Sequence, residues 1–283
     1  MVGRRGKNLR EGDLAEGIGI ELLRTFSAVA PVPRTEDTGI DAICTLLRPE
    51  GRFLVAEDSF LGQIKSASVR KLEFETESYA WLLRLNLPLY IASVELKSAT
   101  IELFTMQRAV DRIDDGWHGV VAYLDAVEGD DGEDYDHGPI VRDGVHHVCL
   151  GPPILRWSAM DAASNEFRKN AYDVTKRWIE LEAMNIALRP YRCCNVPRWS
   201  TNGRPEVTYS RYGAQLDSPL VEDFGKRVGA VFMKLANDSS PSDSAALLAT
   251  IQILRRNGFG GREIQIAELV LQRTVGNREL VSE

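Results

Sequence analysis

The chain has 283 residues, of which 44% are hydrophobic and 27% are charged, and its formal net charge is −7. Such a length and apolar content suffice for one large domain or two smaller ones, and we expect two. No apolar run approaches the roughly 18 residues of a membrane span, and the first ten residues are basic and polar, which excludes a signal peptide and predicts a cytoplasmic protein.

The first predicted element is an amphipathic helix over residues 12–27. Leu14, Ile18, Leu22 and Phe26 recur every four residues, which places them on one helix face. Three glycines weaken this helix by about 1 kcal/mol each, so tertiary packing must support it. Small residues at these positions would be explained by a close approach to a strand or a phosphate.

Short strands and one helix are predicted next. In chain order they are a break at 31–33, a turn at 35–39, a strand at 40–44, a turn at 48–51, a strand at 53–56, a break at 57–59, a strand holding Gln63 and Lys65, a helix at 76–85, and strands at 87–94 and 100–106. The order helix, three strands, helix, strand predicts an α/β core in which helices flank a mixed sheet.

The acidity of the chain is concentrated in its middle. Residues 109–160 carry 3 basic and 11 acidic side chains, whereas the segments on either side are close to neutral. The segment from Asp130 to Asp134 alternates oxygen ligands around a glycine but lacks the closing Glu of an EF-hand. A solvated acidic loop that connects two domains is expected.

Histidine and cysteine side chains raise the question of a zinc site. His137, His146, His147 and Cys149 are legitimate ligands, but their spacing matches no common structural zinc site. A strand or loop with incidental histidines is expected instead. The four cysteines include no Cys-x-x-Cys pair, which is typical of a reducing compartment without disulfides.

The pattern becomes helical from residue 158. Apolar residues from Phe167 to Leu188 predict one long helix that ends at Pro190. Residues 192–212 are predicted to be irregular, and their interleaved Arg and aromatic side chains suit either stacking on bases or packing against a helical domain. Three further helices are predicted at 220–235, 242–257 and 262–275.

Residues 38–68 hold the side chains best suited to chemistry. Asp41 lies in a short apolar run, where a carboxylate without a partner would cost several kcal/mol or keep its proton. Gln63 and Lys65 are two residues apart, so on a strand both side chains point to one face and that of Ile64 points to the other. An acid, an amide oxygen and an amine together suit Mg²⁺ next to a phosphate group.

At these residues the chain resembles the restriction-endonuclease-like, or PD-(D/E)xK, superfamily. Gly39-Ile40-Asp41 followed by Gln63-Ile64-Lys65 is similar to domains of that superfamily found in bacterial mobile and antiviral-defence loci. Gly12 and Glu16 match the Gly-x-x-x-Glu helix start that precedes these motifs. The spacing agrees, because 25 residues separate Glu16 from Asp41 and 22 separate Asp41 from Gln63. The resemblance covers about residues 8–108.

The resemblance implies a restriction-endonuclease-like core that hydrolyses DNA with Mg²⁺ or Mn²⁺, in defence against foreign nucleic acid. Glu16, Asp41 and Gln63 would be the metal ligands, and Lys65 would orient the attacking water or stabilise the phosphate. Glu16 and Glu21 lie about 140° apart on a helix, so only one can face the site, and the position of Gly12 favours Glu16. The superfamily more often has Glu where this chain has Gln63.

The expected organisation is a nuclease-like domain at 1–108, an acidic connecting region at 109–157 and a helical domain at 158–283. The helical domain is expected to be separable and to bind a partner protein or a second copy of the chain. Two alternatives stay open for the first domain. It is either a catalytically idle module kept for binding nucleic acid or protein, or a nuclease that cleaves RNA, because no base-reading motif separates RNA from DNA.

Overall fold

The computed structural model describes residues 7–33, 39–110, 118–127, 130, 132, 140–142, 145–189, 193–200, 203–212, 227–235, 240–256 and 262–276. Its elements are α1 (Lys7–Leu23), β1 (Ser27–Pro31), β2 (Ala42–Glu50), β3 (Phe53–Ser66), β4 (Lys71–Phe74), α2 (Thr76–Arg84), β5 (Leu89–Glu95), β6 (Thr100–Thr105), α3 (Gln107–Val110), β7 (Val120–Tyr123), β8 (Ile140–Arg142), β9 (Val145–Cys149), β10 (Leu155–Ser158), α4 (Ala159–Ala162), α5 (Asn165–Leu188), β11 (Cys193–Trp199), β12 (Pro205–Tyr212), α6 (227–235), α7 (Pro241–Arg256) and α8 (Arg262–Gly276).

A six-stranded sheet in the order β1-β2-β3-β5-β6-β10 forms the centre of the fold. β3 and β5 are parallel and the other neighbours are antiparallel, so the sheet is mixed. α1 and α5 pack into the core on one face, and α2 packs into the core on the other. The prediction of an α/β core with a mixed sheet flanked by helices is confirmed at this level.

α1 covers the sheet through a glycine. A Cβ atom on Gly19 would lie 2.7 Å from Cγ2 of Ile64 and 3.2 Å from Cγ2 of Val94, so the helix approaches β3 and β5 as closely as only glycine permits. The predicted apolar face is partly wrong, because the Leu14 side chain is 50% exposed while Ala15 is buried. Packing against the sheet, which the four-residue periodicity does not show, decides which helix face is buried.

The helix ends earlier than predicted, at Leu23, and β1 follows at once. The Ser27 hydroxyl donates to the Leu23 carbonyl at the junction. β1 pairs only with β2, so Pro31, which has no amide hydrogen, lies on an edge strand where its missing donor costs no ladder hydrogen bond. The sequence showed only the proline break there, and this strand was missed.

β2 and β3 form the predicted hairpin, but β3 runs for 14 residues without the predicted break at 57–59. The β2–β3 register shifts instead, since Thr45 pairs with Ser59 and Leu47 with Ala56. One extra residue on β3 makes this a β-bulge, which bends a strand without ending it. Glu57 at the bulge is held by Arg48 and Lys176, so its charge is accommodated within the strand.

The second sheet, in the order β4-β7-β9-β8, includes part of the acidic region. Asp130 was expected in a solvated loop, yet it is buried and pairs with Arg108 at 2.9 Å. Its carboxylate also accepts the main-chain amides of Gly132 and Cys149. The expectation of solvation is therefore wrong at Asp130, because a buried carboxylate can be satisfied by a cation and amides that are distant in sequence.

The histidines of this region follow the prediction of a strand. His146 and His147 lie on β9, and the ring nitrogen Nδ1 of His147 is 2.9 Å from the Tyr123 hydroxyl. His137 lies outside the described residues. All four cysteines lie within the described residues, and none of them forms a disulfide bond there.

Two predictions in the second half of the chain are corrected. The single helix predicted at 158–190 is two helices, α4 and α5. The side chains of Ser158 and Ser164 cap these helices by accepting main-chain amides of their first turns. Residues 193–212, predicted as irregular, contain the antiparallel hairpin β11–β12. Trp199 of that hairpin packs against Trp178 in a tilted arrangement, with ring centroids 5.1 Å apart, so the Trp199 ring contributes to packing.

The chain divides into two compact units, Met1–Arg189 with Cys193–Tyr212, and Gly213–Glu283 with Pro190–Arg192. The predicted boundaries after residues 108 and 157 both fall inside the first unit. The reason is that β10 pairs with β6 at the edge of the main sheet and α5 contributes to the core beneath it.

The second unit has its own core in α6, α7 and α8, which confirm the three predicted helices over their described residues. Residues 220–226 and 257 of these predictions lie outside the described residues. Its buried side chains are Phe232, Ile251, Ile264, Ala267 and Leu271. None of the helices in the described part of the chain combines the length and apolar character needed to cross a membrane.

A buried carboxyl group ties α5 to the end of β6. Glu182 is 2% exposed, and the Thr105 hydroxyl donates to its Oε1 at 2.6 Å. Burial raises the pKa of Glu182 to about 8, against the hydrogen bond from Thr105, which lowers it. The folded protein therefore keeps a proton on Glu182 at neutral pH, whereas the unfolded chain releases it.

We expect a fragment of residues 1–108 to lack a cooperative unfolding transition, and a fragment of residues 1–212 to retain one. The short fragment loses Trp157 and Trp178, two of the largest fully buried side chains, which belong to the same core as α1. Thermal unfolding followed by circular dichroism measures the difference. A sharp transition in the 1–108 fragment would show that the core is complete without β10 and α5.

We expect the free energy of unfolding to fall as pH rises from about 5 to 8, and this slope to be shallower in Glu182→Gln. The folded pKa of about 8 exceeds the usual value of 4.5, so folding takes up a proton in this window and becomes less favourable as protons are removed. Urea titrations across the window give the slope. Glu180→Gln, an exposed glutamate on the same helix, is the control, and equal slopes in all three proteins would contradict the expectation.

Candidate functional site

β3 exchanges partners at the point where the candidate residues lie. It pairs with β2 from Phe53 to Gly62 and with β5 from Leu61 to Ser66. Beyond Gly62 the β2 side of β3 has no strand partner among the described residues. Ligand sites in open sheets lie outside the carboxyl ends of strands at such changes of connection.

Asp41 fills the position where β2 separates from β3. Its main-chain amide donates to the Gly62 carbonyl at 2.9 Å, and its Oδ2 accepts the Ile64 amide at 2.5 Å. The carboxylate thus takes the place of the next main-chain carbonyl in the ladder. A carboxylate that accepts a main-chain amide is stabilised in its charged form.

Gln63 lies directly beyond the last β2–β3 pair, on the β3 side of Asp41. Its side-chain oxygen Oε1 is buried and accepts no hydrogen bond from the described residues. A buried carbonyl oxygen without a donor costs about 1–3 kcal/mol, which a bound cation or water would offset. Its Nε2 lies beside Gly39, 3.8 Å from where a Cβ atom would be.

Gly39 shapes the approach to Asp41. Its φ of +95° lies in the left-handed region that side chains rarely adopt, which gives a conformational reason for glycine in the Gly-Ile-Asp motif. A Cβ atom there would lie 3.4 Å from the Trp81 ring. Trp81, on α2, therefore borders the site. Sequence pattern does not predict this contact, because it joins two elements that are separate in the chain.

Lys65 points to the same face as Gln63, as the two-residue spacing predicts. The structure shows no ion pair between Lys65 and a carboxylate of the described residues, so Asp41 and Lys65 are not a structural salt bridge. Lys65 lies opposite Ser93, Ser93 lies opposite Glu102, and Glu102 lies opposite Arg156. These four residues form a polar row across β3, β5, β6 and β10, which sequence reasoning missed because strand register sets it.

Glu16 lies on α1, which covers the opposite face of the sheet, so the structure does not group it with Gln63 and Lys65 on one face. The Phe26 carbonyl accepts the Leu47 amide, whereas Gly19 meets Ile64. The amino-terminal part of α1 therefore lies nearer the carboxyl end of β3. Glu16 is almost one helical turn before Gly19, and so lies further toward that end.

Glu21 is placed differently. It forms an exposed ion pair with Arg24 near the far end of α1, where the helix turns toward β1. The two acidic candidates of the helix are thus separated along its length as well as around it.

The oxygen donors near Asp41 can be compared with what a metal requires. No group of three or more His, Cys, Asp or Glu side chains that could hold a metal ion is found within the described ranges. Asp41 and Gln63 supply a carboxylate and an amide oxygen in adjacent positions, which are donor types that Mg²⁺ accepts. The orphaned Oε1 of Gln63 fits such a cation, while the helix carboxylate of Glu16 would have to reach the site around the end of the strand.

Comparisons with protein-family models, with curated proteins and with solved structures each give no match.

We expect Gln63→Met to raise the unfolding temperature of the unliganded protein by about 2–4 °C. The substitution removes an unsatisfied buried carbonyl worth about 1 kcal/mol while keeping a similar side-chain volume. Differential scanning calorimetry without divalent cations measures it.

Asn185→Leu is the matched control, since this buried amide makes two hydrogen bonds with the main chain of Asn195. It should lower the unfolding temperature. A comparable loss of stability in Gln63→Met would mean that the Gln63 amide is satisfied within the folded chain.

Proposed function

We propose that the chain is a metal-dependent nuclease that hydrolyses phosphodiester bonds of DNA. The observation that carries the proposal is the buried, unsatisfied Oε1 of Gln63 next to Asp41, at the point where β3 leaves β2. Gln63 Oε1 is one of eight such side-chain atoms among the described residues, and its position beside Asp41 is what favours a bound ion as its partner. The proposal includes a restriction-endonuclease-like core, because the Gly-Ile-Asp and Gln-x-Lys motifs resemble those of that superfamily.

The order of elements supports it. α1, β1, β2 and β3 precede α2 and β5, and α2 forms part of the crossover between the parallel strands β3 and β5. This is the order helix, three strands, helix, strand, with β4 as an addition between β3 and α2. These three strands differ from the predicted ones, because the strands predicted at 53–56 and at Gln63–Lys65 are one strand, β3, and β1 is the third.

Asp41 and Gln63, with Glu16 from α1, are the residues that would hold Mg²⁺ or Mn²⁺. When bound, the ion supplies charge stabilisation at the phosphate and lowers the pKa of a bound water. Asp41 is held in position for this role by the Ile64 amide, which donates a hydrogen bond to its Oδ2 at 2.5 Å. Glu21 is less suited, because it is paired with Arg24 on the surface.

Lys65 supplies the positive charge of the proposed site. Its ammonium group has no ion-pair partner among the described carboxylates, so it is free to donate to a phosphate oxygen or to an attacking water. Arg156, at the far end of the polar row, offers a second cation along the same face, although Glu102 lies 3.5 Å from it. A substrate backbone lying along this row would contact both cations.

A cytoplasmic role in antiviral defence, implied by the resemblance, completes the proposal. The second unit would bind a partner protein or a second copy of the chain. Trp178 and Phe232, two large apolar residues of the predicted helical domain, are buried in the cores of their own units. The exposed large apolar side chains of this unit, within the described residues, are 37–58% exposed and are Val231, Leu235, Ile253, Ile266 and Leu269.

We expect the purified protein to cleave plasmid DNA with Mg²⁺ or Mn²⁺ and to stop when EDTA is added. Asp41→Ala and Lys65→Ala should each reduce the rate by 10²-fold or more, because each removes stabilisation of the charge that develops on the phosphate. Glu16→Ala should reduce it strongly and Glu21→Ala little. Melting temperatures measured on the same samples separate lost chemistry from lost folding.

Full activity in EDTA would rule out the metal-dependent mechanism, and wild-type cleavage by Lys65→Ala would remove Lys65 from the site. Cleavage of RNA but not DNA would assign the RNase alternative. No cleavage of either nucleic acid under any metal condition, with folded protein and retained nucleic-acid binding, would favour the catalytically idle module.

A further inference from the structure

A second cleft lies at the opposite end of β3 from Asp41, Gln63 and Lys65. It has a volume of about 680 Å³ and lies between the first turns of α5, the α1–β1 connection and the outer end of the β2–β3 hairpin. Leu54 in its wall and Lys65 are eleven residues apart on β3, which corresponds to roughly 35 Å along a strand. The cleft is therefore separate from the proposed nuclease site.

The floor of the cleft is apolar. Phe26, Leu47, Pro49 and Leu54 line it, and the Leu54 side chain is 62% exposed. A volume of this size lies within the range of about 300–1,000 Å³ that is typical of sites for small organic molecules. An exposed apolar floor in such a cleft suits a flat ring.

The rim of the cleft is cationic. Arg24, Arg48, Arg168 and Lys169 line it together with a single carboxylate, Asp173. The Arg168 guanidinium donates to the carbonyls of Ala162 and Ala163, which leaves its charge without a carboxylate partner among the described residues. Lys169, one residue further along the same helix, forms no ion pair with a described carboxylate either.

The other side of the rim is held in place by Glu57 at the bulge of β3. Arg48 Nε donates to Glu57 at 2.5 Å, and Lys176 donates to it at 2.6 Å. The Tyr172 hydroxyl also donates to Glu57. This network fixes the Arg48 and Tyr172 side chains before any ligand arrives, which reduces the entropy lost on binding.

We propose that this cleft binds a small organic anion composed of a flat ring and a phosphate group, the class to which nucleoside monophosphates belong. The ring lies on Phe26, Leu47 and Leu54, and the phosphate accepts hydrogen bonds from Arg168 and Lys169. Guanidinium and ammonium groups at the edge of a cleft are suited to a phosphate, because both donate charge-assisted hydrogen bonds to its oxygens. The proposal does not depend on nuclease activity.

Isothermal titration calorimetry on the full chain in EDTA tests it, with adenosine monophosphate as the probe. Adenosine and inorganic phosphate are the two half-ligands, and each should bind more weakly than the whole. Lys169→Ala and Leu54→Asp should each weaken binding about tenfold, since one removes a charged donor and the other places a carboxylate in the floor. Both side chains are exposed, so neither change removes core packing.

Lys97→Ala, an exposed lysine in the turn after β5, is the matched control and should bind as the wild type does. Asp41→Ala should also bind normally, which separates this cleft from the proposed nuclease site. Absence of binding at millimolar probe would overturn the proposal, as would binding unaffected by both Lys169→Ala and Leu54→Asp. Inorganic phosphate binding as tightly as adenosine monophosphate would overturn the role of the apolar floor.

Discussion

The change of partner along β3 is the constraint on which the arrangement of the candidate site depends. This strand is held by β2 over its first ten residues and by β5 over its last six, with an overlap at Leu61 and Gly62. Because β2 begins at Ala42, the Ile64 amide has no main-chain acceptor on the β2 side, and the Asp41 carboxylate accepts it instead.

A close helix–sheet contact supports this arrangement from the other face. Gly19 allows α1 to rest on Ile64 and Val94, and Ile64 is the residue whose amide Asp41 accepts. The helix thereby fixes β3 at the point where the strand has no partner on its β2 side among the described residues. It also keeps Glu16 on the face of the sheet opposite the Gln63 side chain, because α1 packs on the Ile64 face.

The two ends of β3 have different chemistry for a structural reason. At the carboxyl end, parallel pairing with β5 buries the strand, and an amide oxygen without a hydrogen-bond donor is costly there. At the other end, the bulge at Glu57 lets the hairpin bend toward α5, and Glu57 holds cationic and phenolic side chains around an apolar floor. The strand thus links two polar sites through an apolar core.

The sequence by itself determined the hairpin of β2 and β3, the common face of Gln63 and Lys65, the elements α2, β5 and β6, and the three C-terminal helices, because these follow from local periodicity and turn residues. Tertiary structure decided what local pattern does not encode. β1 forms by pairing with β2, the β11–β12 hairpin packs against α5 through Trp199 and Trp178, and Asp130 is buried because Arg108 pairs with it. Trp81 borders Gly39 only because α2 packs on the sheet. The burial of Gln63 Oε1 is also a tertiary property, since it depends on the neighbours that enclose the amide and on the absence of a donor among those described.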